Sequence, residues 1–406
     1  MQAVDAVVVG AGPAGVAASV WLARAGRDVL LIDKARFPRD KCCGDGLTTA
    51  ALRELEALGF VPDGLPAWQV VDDVVVRSPS GREVTFSLPR GRGTFAAVVP
   101  RVELDAALVD VARAAGVKVA DGHGFESIDV HGDHVVVHVE GIGPVAARYA
   151  IAADGMWSPL RKAVGAVEPG YLGEWHAFRQ YFRGVTGQGA RDLAVWFEAD
   201  LLPGYAWSFP LPGGRANVGF GIQRGGKVTT QEMKDLWPDF LQRDFVREFL
   251  GPDAEPEAPH KAWPIPARIE SATLTAAGGR VLIVGDAAAA TDAMTGEGIG
   301  QALLTGRLAA EAIVAAGPHG AAPGYERAVN RELAADAAMS RLLIRALKHP
   351  NGARAAVRVA GASAWTRRNF ARWLFEDYPR AIVATPGRWP EHSLVGDGAF
   401  VSRVRL

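Results

Sequence analysis

The chain has 406 residues, 22% of them charged, which is long enough for two or three domains around a large core. A formal net charge of −1 gives nucleic acid no global attraction, so a nucleic-acid partner is not expected. The 2 cysteines, Cys42 and Cys43, are neighbours, a spacing unsuited to a relaxed disulfide, and this points to a reduced, cytoplasmic setting. The first residues lack the basic start and small-residue cleavage site of a secretory signal. No uninterrupted apolar run reaches the roughly 20 residues of a membrane helix, so an integral membrane protein is not expected either.

In chain order, Val4 to Val9 predicts a buried strand, Gly10 to Gly15 a glycine turn, Ala14 to Ala25 a helix, and Asp28 to Ile32 a second strand. Together they make a βαβ unit. Val70 to Val76 and Glu83 to Leu88 flank Ser-Pro-Ser-Gly-Arg as a hairpin, and Leu104 to Ala115 reads as a helix. Val117 to Ala120, His134 to Glu140 and Val145 to Ala152 are strand-like and lead to Asp154-Gly155. Longer alternating segments follow, among them His176 to Gly184, Leu193 to Ala199 and Tyr205 to Ile222, the pattern of an antiparallel sheet with one covered face. Arg280 to Val284 is one more buried strand, with a helix from Gly298 to Ala315; the remainder is mostly helical, with breaks at Pro350-Asn351-Gly352 and Pro379. The expected fold is α/β: a discontinuous, Rossmann-like dinucleotide domain with an inserted antiparallel-sheet substrate domain and a C-terminal helical region. The boundaries expected are 1–165 and 276–325 for the dinucleotide domain, 166–275 for the insert, which the 70–90 hairpin could join, and 326–406 for the helices and tail.

Gly10-Ala11-Gly12-Pro13-Ala14-Gly15 stands between strand and helix. Its first glycine makes the turn, the second admits a pyrophosphate to the backbone, and the third packs helix on strand. The helix N-terminus then holds the phosphates. Asp33, followed by Lys34, ends the second strand where an acid meets a ribose hydroxyl. An ordinary βα turn is the plainer reading of the glycines alone. Far downstream, Gly285-Asp286 follows another strand, and Gly296-Glu297-Gly298-Ile299 opens a helix. A second strand-end acid can bind a ribityl chain, and a helix start can face the flavin edge that becomes negative on reduction. Two separated elements suit one long FAD. Arg101 and Asp154 fit the same layout, although a salt-bridged arginine and a turn are the plainer readings of each.

With these pieces, the chain resembles the geranylgeranyl reductase family of p-hydroxybenzoate hydroxylase-like flavoproteins of the glutathione reductase type. The matching residues are the glycine motif, Arg36-Phe37-Pro38-Arg39-Asp40-Lys41-Cys42-Cys43-Gly44-Asp45-Gly46-Leu47, the Arg101 segment, Asp154-Gly155, Leu202-Pro203-Gly204-Tyr205-Ala206-Trp207-Ser208-Phe209-Pro210 with Asn217-Val218-Gly219, and the Gly285-Asp286 and Gly296-to-Ile299 elements. The nearest likeness is to the actinobacterial branch that reduces a menaquinone isoprenoid chain. The resemblance implies an FAD-dependent enzyme that reduces a prenyl C=C by hydride from flavin N5 plus a proton. It places the family's cysteine on Cys43 and Gly44, Asp45, Gly46 and Leu47 at the flavin. A thiol is mostly protonated at neutral pH, so Cys43 can donate that proton; the competing reading is a cysteine that only packs.

Tyr205, Trp207 and Phe209 alternate along a strand and so share one face. Family position makes them a wall for a prenyl chain, against the alternative of a sheet core, and Trp175, Tyr181, Trp196 and Trp263 are unranked additions. Arg341, Arg345, Lys348, Arg354, Arg358, Arg367, Arg368 and Arg372 lie among apolar residues; either they are solvated, or they rest at an anionic membrane face where a lipid substrate resides. His176, His260 and His349 have no metal-ligand spacing, and no metal is expected. Hydride chemistry also calls for an external electron donor, NAD(P)H or a redox protein. Two other functions share the scaffold: a flavin monooxygenase or halogenase tailoring a natural product, and a flavin-binding regulator or electron carrier.

Overall fold

A computed structural model describes residues 2–316, 320–388 and 396–401. β1 (Gln2–Val9) is parallel to β2 (Val29–Asp33), and between them runs helix α1 (Pro13–Arg24). The consecutive buried apolar residues Ala6 to Val9 and Val29 to Ile32 leave both faces of the sheet needing cover. The sheet continues from β2 to Lys118–Asp121 and from β1 through Gly143–Ala152 to Val281–Ile283, all parallel, so its last parallel strand comes from far along the chain, with Thr275–Ala276 antiparallel outside it. The hairpin Phe125–Val130 and Val135–Val139 attaches antiparallel to Gly143–Ala152.

Helix Ile299–Val314 packs closely on α1 because Gly306 offers no side chain: a Cβ there would lie 2.2 Å from the Ala14 carbonyl oxygen. The carboxyl ends of β1, β2 and Gly143–Ala152, together with the starts of both helices, therefore open on one side of the sheet, where this class of fold binds ligands.

The second sheet runs in the order Glu255–Pro256, Trp175–Arg183, Arg215–Gln223, Tyr205–Leu211, Leu193–Trp196, Asp73–Arg77, Glu83–Ser87, with Lys261–Ile265 also on Trp175–Arg183. Its pairings are antiparallel except Leu193–Trp196 with Asp73–Arg77. The 70–90 hairpin is thus part of this sheet. Strand periodicity divides the sheet in two. Phe178, Phe182, Ala194, Trp196, Ala206, Val218 and Phe220 pack with Trp237, Phe240 and Val246 of the helices Met233–Leu241 and Asp244–Leu250, while Ala177, Arg179, Val195, Tyr205, Trp207 and Phe209 face the first domain across a cavity.

Three helices, Ala335–Leu347, Pro350–Ala360 and Ala364–Leu374, follow. The sequence predicts a break at Pro350-Asn351-Gly352; instead Pro350 begins the second of these helices, and the interruption falls at Lys348 and His349. A first-turn proline loses no hydrogen bond and carries a helical φ, so it starts helices as readily as it ends them.

Candidate active site

One continuous cavity of about 1160 Å³ lies between the parallel sheet, the antiparallel sheet and the C-terminal helices. At one end are Gly10, Gly12, Pro13 and Ala14, Asp33 and Lys34. Gly10 has φ 104°, and a Cβ on it would meet the Ala153 carbonyl oxygen at 2.3 Å. The start of α1 has no side-chain cap, which leaves its N–H groups facing the cavity. The start of Ile299–Val314, with Gly296, Gly298 and Ile299, faces the same space. Asp33 accepts N–H groups from Ala11 at 2.8 Å and Ala35 at 2.9 Å, and so ties the strand end to the glycine turn. Two helix starts, a strand-end acid and flanking Arg39 and Lys41 suit a long anionic dinucleotide, and the residues present fit FAD.

The sequence-derived cofactor residues that line the cavity are these together with Cys43, Gly44, Asp45, Gly46, Leu47, Arg101, Asp154 and Asp286. Gly15 and Gly285 stand behind the wall. A Cβ at Gly15 would come within 1.8 Å of the Gly10 carbonyl oxygen, and one at Gly285 within 3.0 Å of Ala14 Cβ, so both are small because elements cross there. Arg101 is buried and gives two hydrogen bonds, of 2.7 and 2.8 Å, to Asp105; Asp154 accepts from Ser158 and from the Leu160 N–H at 3.0 Å. For both, the salt bridge and the turn weighed as plainer readings are present as well as exposure to the cavity. Asp286 holds Lys41 Nζ at 2.8 Å; burial alone would raise its carboxyl, but the Lys41 charge and hydrogen bond bring it below its ordinary range.

The Cys43 loop is bound to the aromatic row. The Asn217 amide donates to the Cys43 carbonyl at 2.9 Å and to Asp45 Oδ2 at 2.8 Å, and its oxygen accepts Trp207 Nε1 at 3.2 Å. Tyr181 Oη donates to Asp45 at 2.6 Å, and the Asp45 N–H points to Cys43 Sγ at 3.4 Å. Glycines make the approach possible: a Cβ on Gly46 would stand 2.9 Å from Phe209, and one on Gly44 3.3 Å. Burial pushes the Cys43 thiol up, against Arg101 and with help from Asp45 and Glu297, so Sγ keeps its proton at neutral pH. Burial also raises Asp45 to about 6, although the Tyr181 and Asn217 hydrogen bonds favour its charged form.

Tyr205, Trp207 and Phe209 all line the cavity, with successive ring centroids 6.2 and 6.1 Å apart. Of the unranked aromatics, Trp263 joins them, Tyr181 serves Asp45, Trp196 lies in the insert core and Trp175 in a separate cluster. Sequence reasoning singled out neither the role of Asn217, whose two-sided amide needs a tertiary neighbour to acquire meaning, nor the C-terminal wall. That wall presents Leu343, Leu347, Ala353, Val357, Phe370 and Trp373, helical apolar positions that a sequence cannot assign to a cavity rather than a core. Two of the cationic C-terminal residues are not free for a surface role. Arg372 is buried and paired with Asp377, and Arg341 is paired with Glu270.

Residues 3–316 match the FAD binding domain family. The chain is 36% identical over 334 residues to the menaquinone reductase of Mycolicibacterium smegmatis, covering 77% of each protein. It is 32% identical over 315 residues to digeranylgeranylglycerophospholipid reductase 2 of Methanopyrus kandleri, covering 76% of each. Among solved structures, a geranylgeranyl bacteriochlorophyll reductase-like protein of Thermoplasma acidophilum superposes with a TM-score of 0.79 at 21% identity, over 95% of this chain and 99% of that one. The halogenase PltM also shares the fold, with a TM-score of 0.71 at 18% identity. The chain therefore belongs to the FAD binding domain family and, within it, to the geranylgeranyl reductase group of FAD-dependent oxidoreductases.

Proposed function

We propose that this enzyme saturates C=C bonds in a prenyl or polyprenyl chain of the geranylgeranyl or menaquinone type. The observation that carries the reading is the continuity of one cavity, from the glycine turns past Cys43 and the aromatic row to a long apolar wall of C-terminal helices. Bound FAD, once reduced, supplies a hydride. An isolated alkene accepts hydride poorly, so the carbon that gains negative character needs an acid beside it. Cys43 Sγ, proton-bearing and half-buried at the cavity wall, is that acid; Asn217 and Asp45 orient its loop, and Tyr205, Trp207 and Phe209 hold the chain and exclude water. Residues Gly10 to Ala14, Asp33, Lys34, Asp286 and the Gly296-to-Ile299 turn hold the cofactor, with Gly15 and Gly285 setting the close packing behind them. The dinucleotide domain takes 1–165 with 276–325, less the 70–90 hairpin that pairs with the insert's sheet, the insert takes 166–275, and the helical region takes 326–406.

The electron donor is an external reductant, NAD(P)H or a redox protein. The substrate enters from a lipid surface: Val359 and Trp365, both cavity-lining, are 66% and 60% exposed, and Arg345, Arg358 and Arg368 are exposed on the three C-terminal helices, with Lys348 exposed in the turn between the first two. No described helix is long and apolar enough to cross a membrane, so this contact is peripheral. The test is anaerobic: reduce the bound flavin, add a prenyl lipid or quinone, and follow reoxidation and product mass. Reoxidation without oxygen, with a product heavier by two hydrogens, supports the reductase; a flavin that reoxidises only with oxygen, giving an oxygen-bearing product, overturns it.

A further inference from the structure

Beside the Cys43 end of the cavity, the turn before helix Ile299–Val314 and the segment after helix Ala364–Leu374 gather three carboxylates and one guanidinium, which contacts two of them. Asp292 and Glu297 are 8% and 9% exposed, and Arg380 is 3% exposed. Glu297 accepts the Gly300 N–H at 2.6 Å. Glu376 accepts from Gln301 Nε2 at 3.1 Å, Arg380 Nη2 at 3.3 Å and Thr48 Oγ1 at 3.3 Å. Asp292 accepts Ser340 Oγ at 2.6 Å and lies 4.0 Å from Arg380 Nη2. On the cavity side the cluster faces Cys43 and Tyr205, both held in their neutral forms by burial; on the pocket side it faces Arg53, Arg388, Asp336, Asp377, Glu54 and Glu332, which are matched in ion pairs of their own, Arg53 with Asp377, Arg388 with Asp336 and Glu332, and Glu54 with Arg307. Three carboxylates against one unshared cation at this degree of burial cannot all be ionised, so the cluster retains a proton at neutral pH. Burial and the facing Glu376 both push Glu297 up, and burial raises Glu376 despite Arg380.

The two glutamates also stand on different spaces. Glu297 and Thr48 line the large cavity, whereas Glu376, Asp292, Gln301 and Arg380 line a second pocket of about 450 Å³ behind it. In that pocket Gln301 Oε1 and Arg380 Nε have no hydrogen-bond partner among the described residues, although Gln301 is only 8% exposed and Arg380 3%. Buried, unpartnered acceptors and donors in a polar space of this size are what ordered water satisfies.

We propose that Glu376 and Glu297 form a proton relay from the Gln301 pocket to the Cys43 side of the cavity. This rests on the reading of the enzyme as a prenyl reductase. Each C=C reduced gains two hydrogens: both electrons enter with the hydride, and the second hydrogen is the proton that leaves Cys43 Sγ. Glu297 returns a proton to the thiolate, Glu376 reprotonates Glu297, and pocket water restores Glu376, so one solvent proton is consumed per bond.

Infrared spectroscopy of the flavin-free full chain provides a reading independent of activity. The wild type at neutral pH is expected to show the carbonyl stretch of a protonated carboxyl group, and Glu297→Gln and Glu376→Gln are each expected to remove it. With FAD bound, both variants should slow anaerobic reoxidation by prenyl substrate at least tenfold and move its pH profile. A wild type without the band, or variants with the wild-type rate and profile, overturns the relay. Failure of the wild type to reduce any prenyl substrate overturns the functional reading instead, and the band still decides the shared proton.

Discussion

At the scale of single residues, the site depends on groups whose burial sets their protonation. Cys43 Sγ is held neutral by burial, and general acid catalysis of this kind contributes about 100-fold or more. Cys43→Ser is therefore expected to lower the anaerobic single-turnover rate at least tenfold while FAD still binds; an unchanged rate removes the proton-donor role. Asp45 shows the energetic side. Its folded carboxyl titrates at about 6 against an ordinary 3.8, so the folded state binds the extra proton, and stability present below about pH 4 is lost as pH rises through about 6. The difference amounts to roughly 3 kcal/mol. Asp45→Asn should abolish that decline in urea unfolding series taken from pH 4 to 7; a parallel decline in the variant contradicts the assignment. Gly10→Ala places a Cβ 2.3 Å from the Ala153 oxygen at a φ of 104°, and a loss of about 1–3 kcal/mol in stability together with weaker FAD retention is expected.

At the scale of elements, alternation along Tyr205–Leu211 settles what its aromatics face. Ala206 enters the insert core while Tyr205, Trp207 and Phe209 enter the cavity, because helices Met233–Leu241 and Asp244–Leu250 cover only one side of the sheet. Periodicity alone predicts that the three rings share a face, but which face is covered depends on segments distant in sequence. Helix Pro350–Ala360 contributes Ala353 and Val357 to the distal wall. Val357→Trp would shorten the apolar space, so KM should rise several-fold for long prenyl chains and remain near wild type for short ones. An equal effect on both lengths would place the chain elsewhere.

At the scale of the whole molecule, the open end of the cavity combines exposed Val359 and Trp365 with exposed cationic residues on helices Ala335–Leu347 to Ala364–Leu374. Each such residue near an anionic surface contributes about 1 kcal/mol, screened by salt. Binding to vesicles containing phosphatidylglycerol should exceed binding to phosphatidylcholine vesicles and fall with added salt. It should also drop several-fold in a Val359→Ala, Trp365→Ala double variant; equal binding of variant and wild type would exclude this face as the contact.

The sequence by itself determined the dinucleotide half of the protein. A strand, a glycine turn, a helix and a terminal acid are local in the chain, and the same local chemistry that makes Gly10 and Asp33 recognisable also brings them together at one end of the cavity. The Cys43 loop and the aromatic strand were legible as separate segments with a shared family resemblance. Only the tertiary structure joined them: Asn217 bridges Cys43, Asp45 and Trp207 across separations of more than 170 residues for the first two. It likewise turned the C-terminal helices from a basic, amphipathic pattern into the apolar wall of the cavity, with Arg372 buried. An apolar helical stripe reports that it must be covered, but whether by a core, a membrane or a ligand depends on what the rest of the chain leaves opposite it.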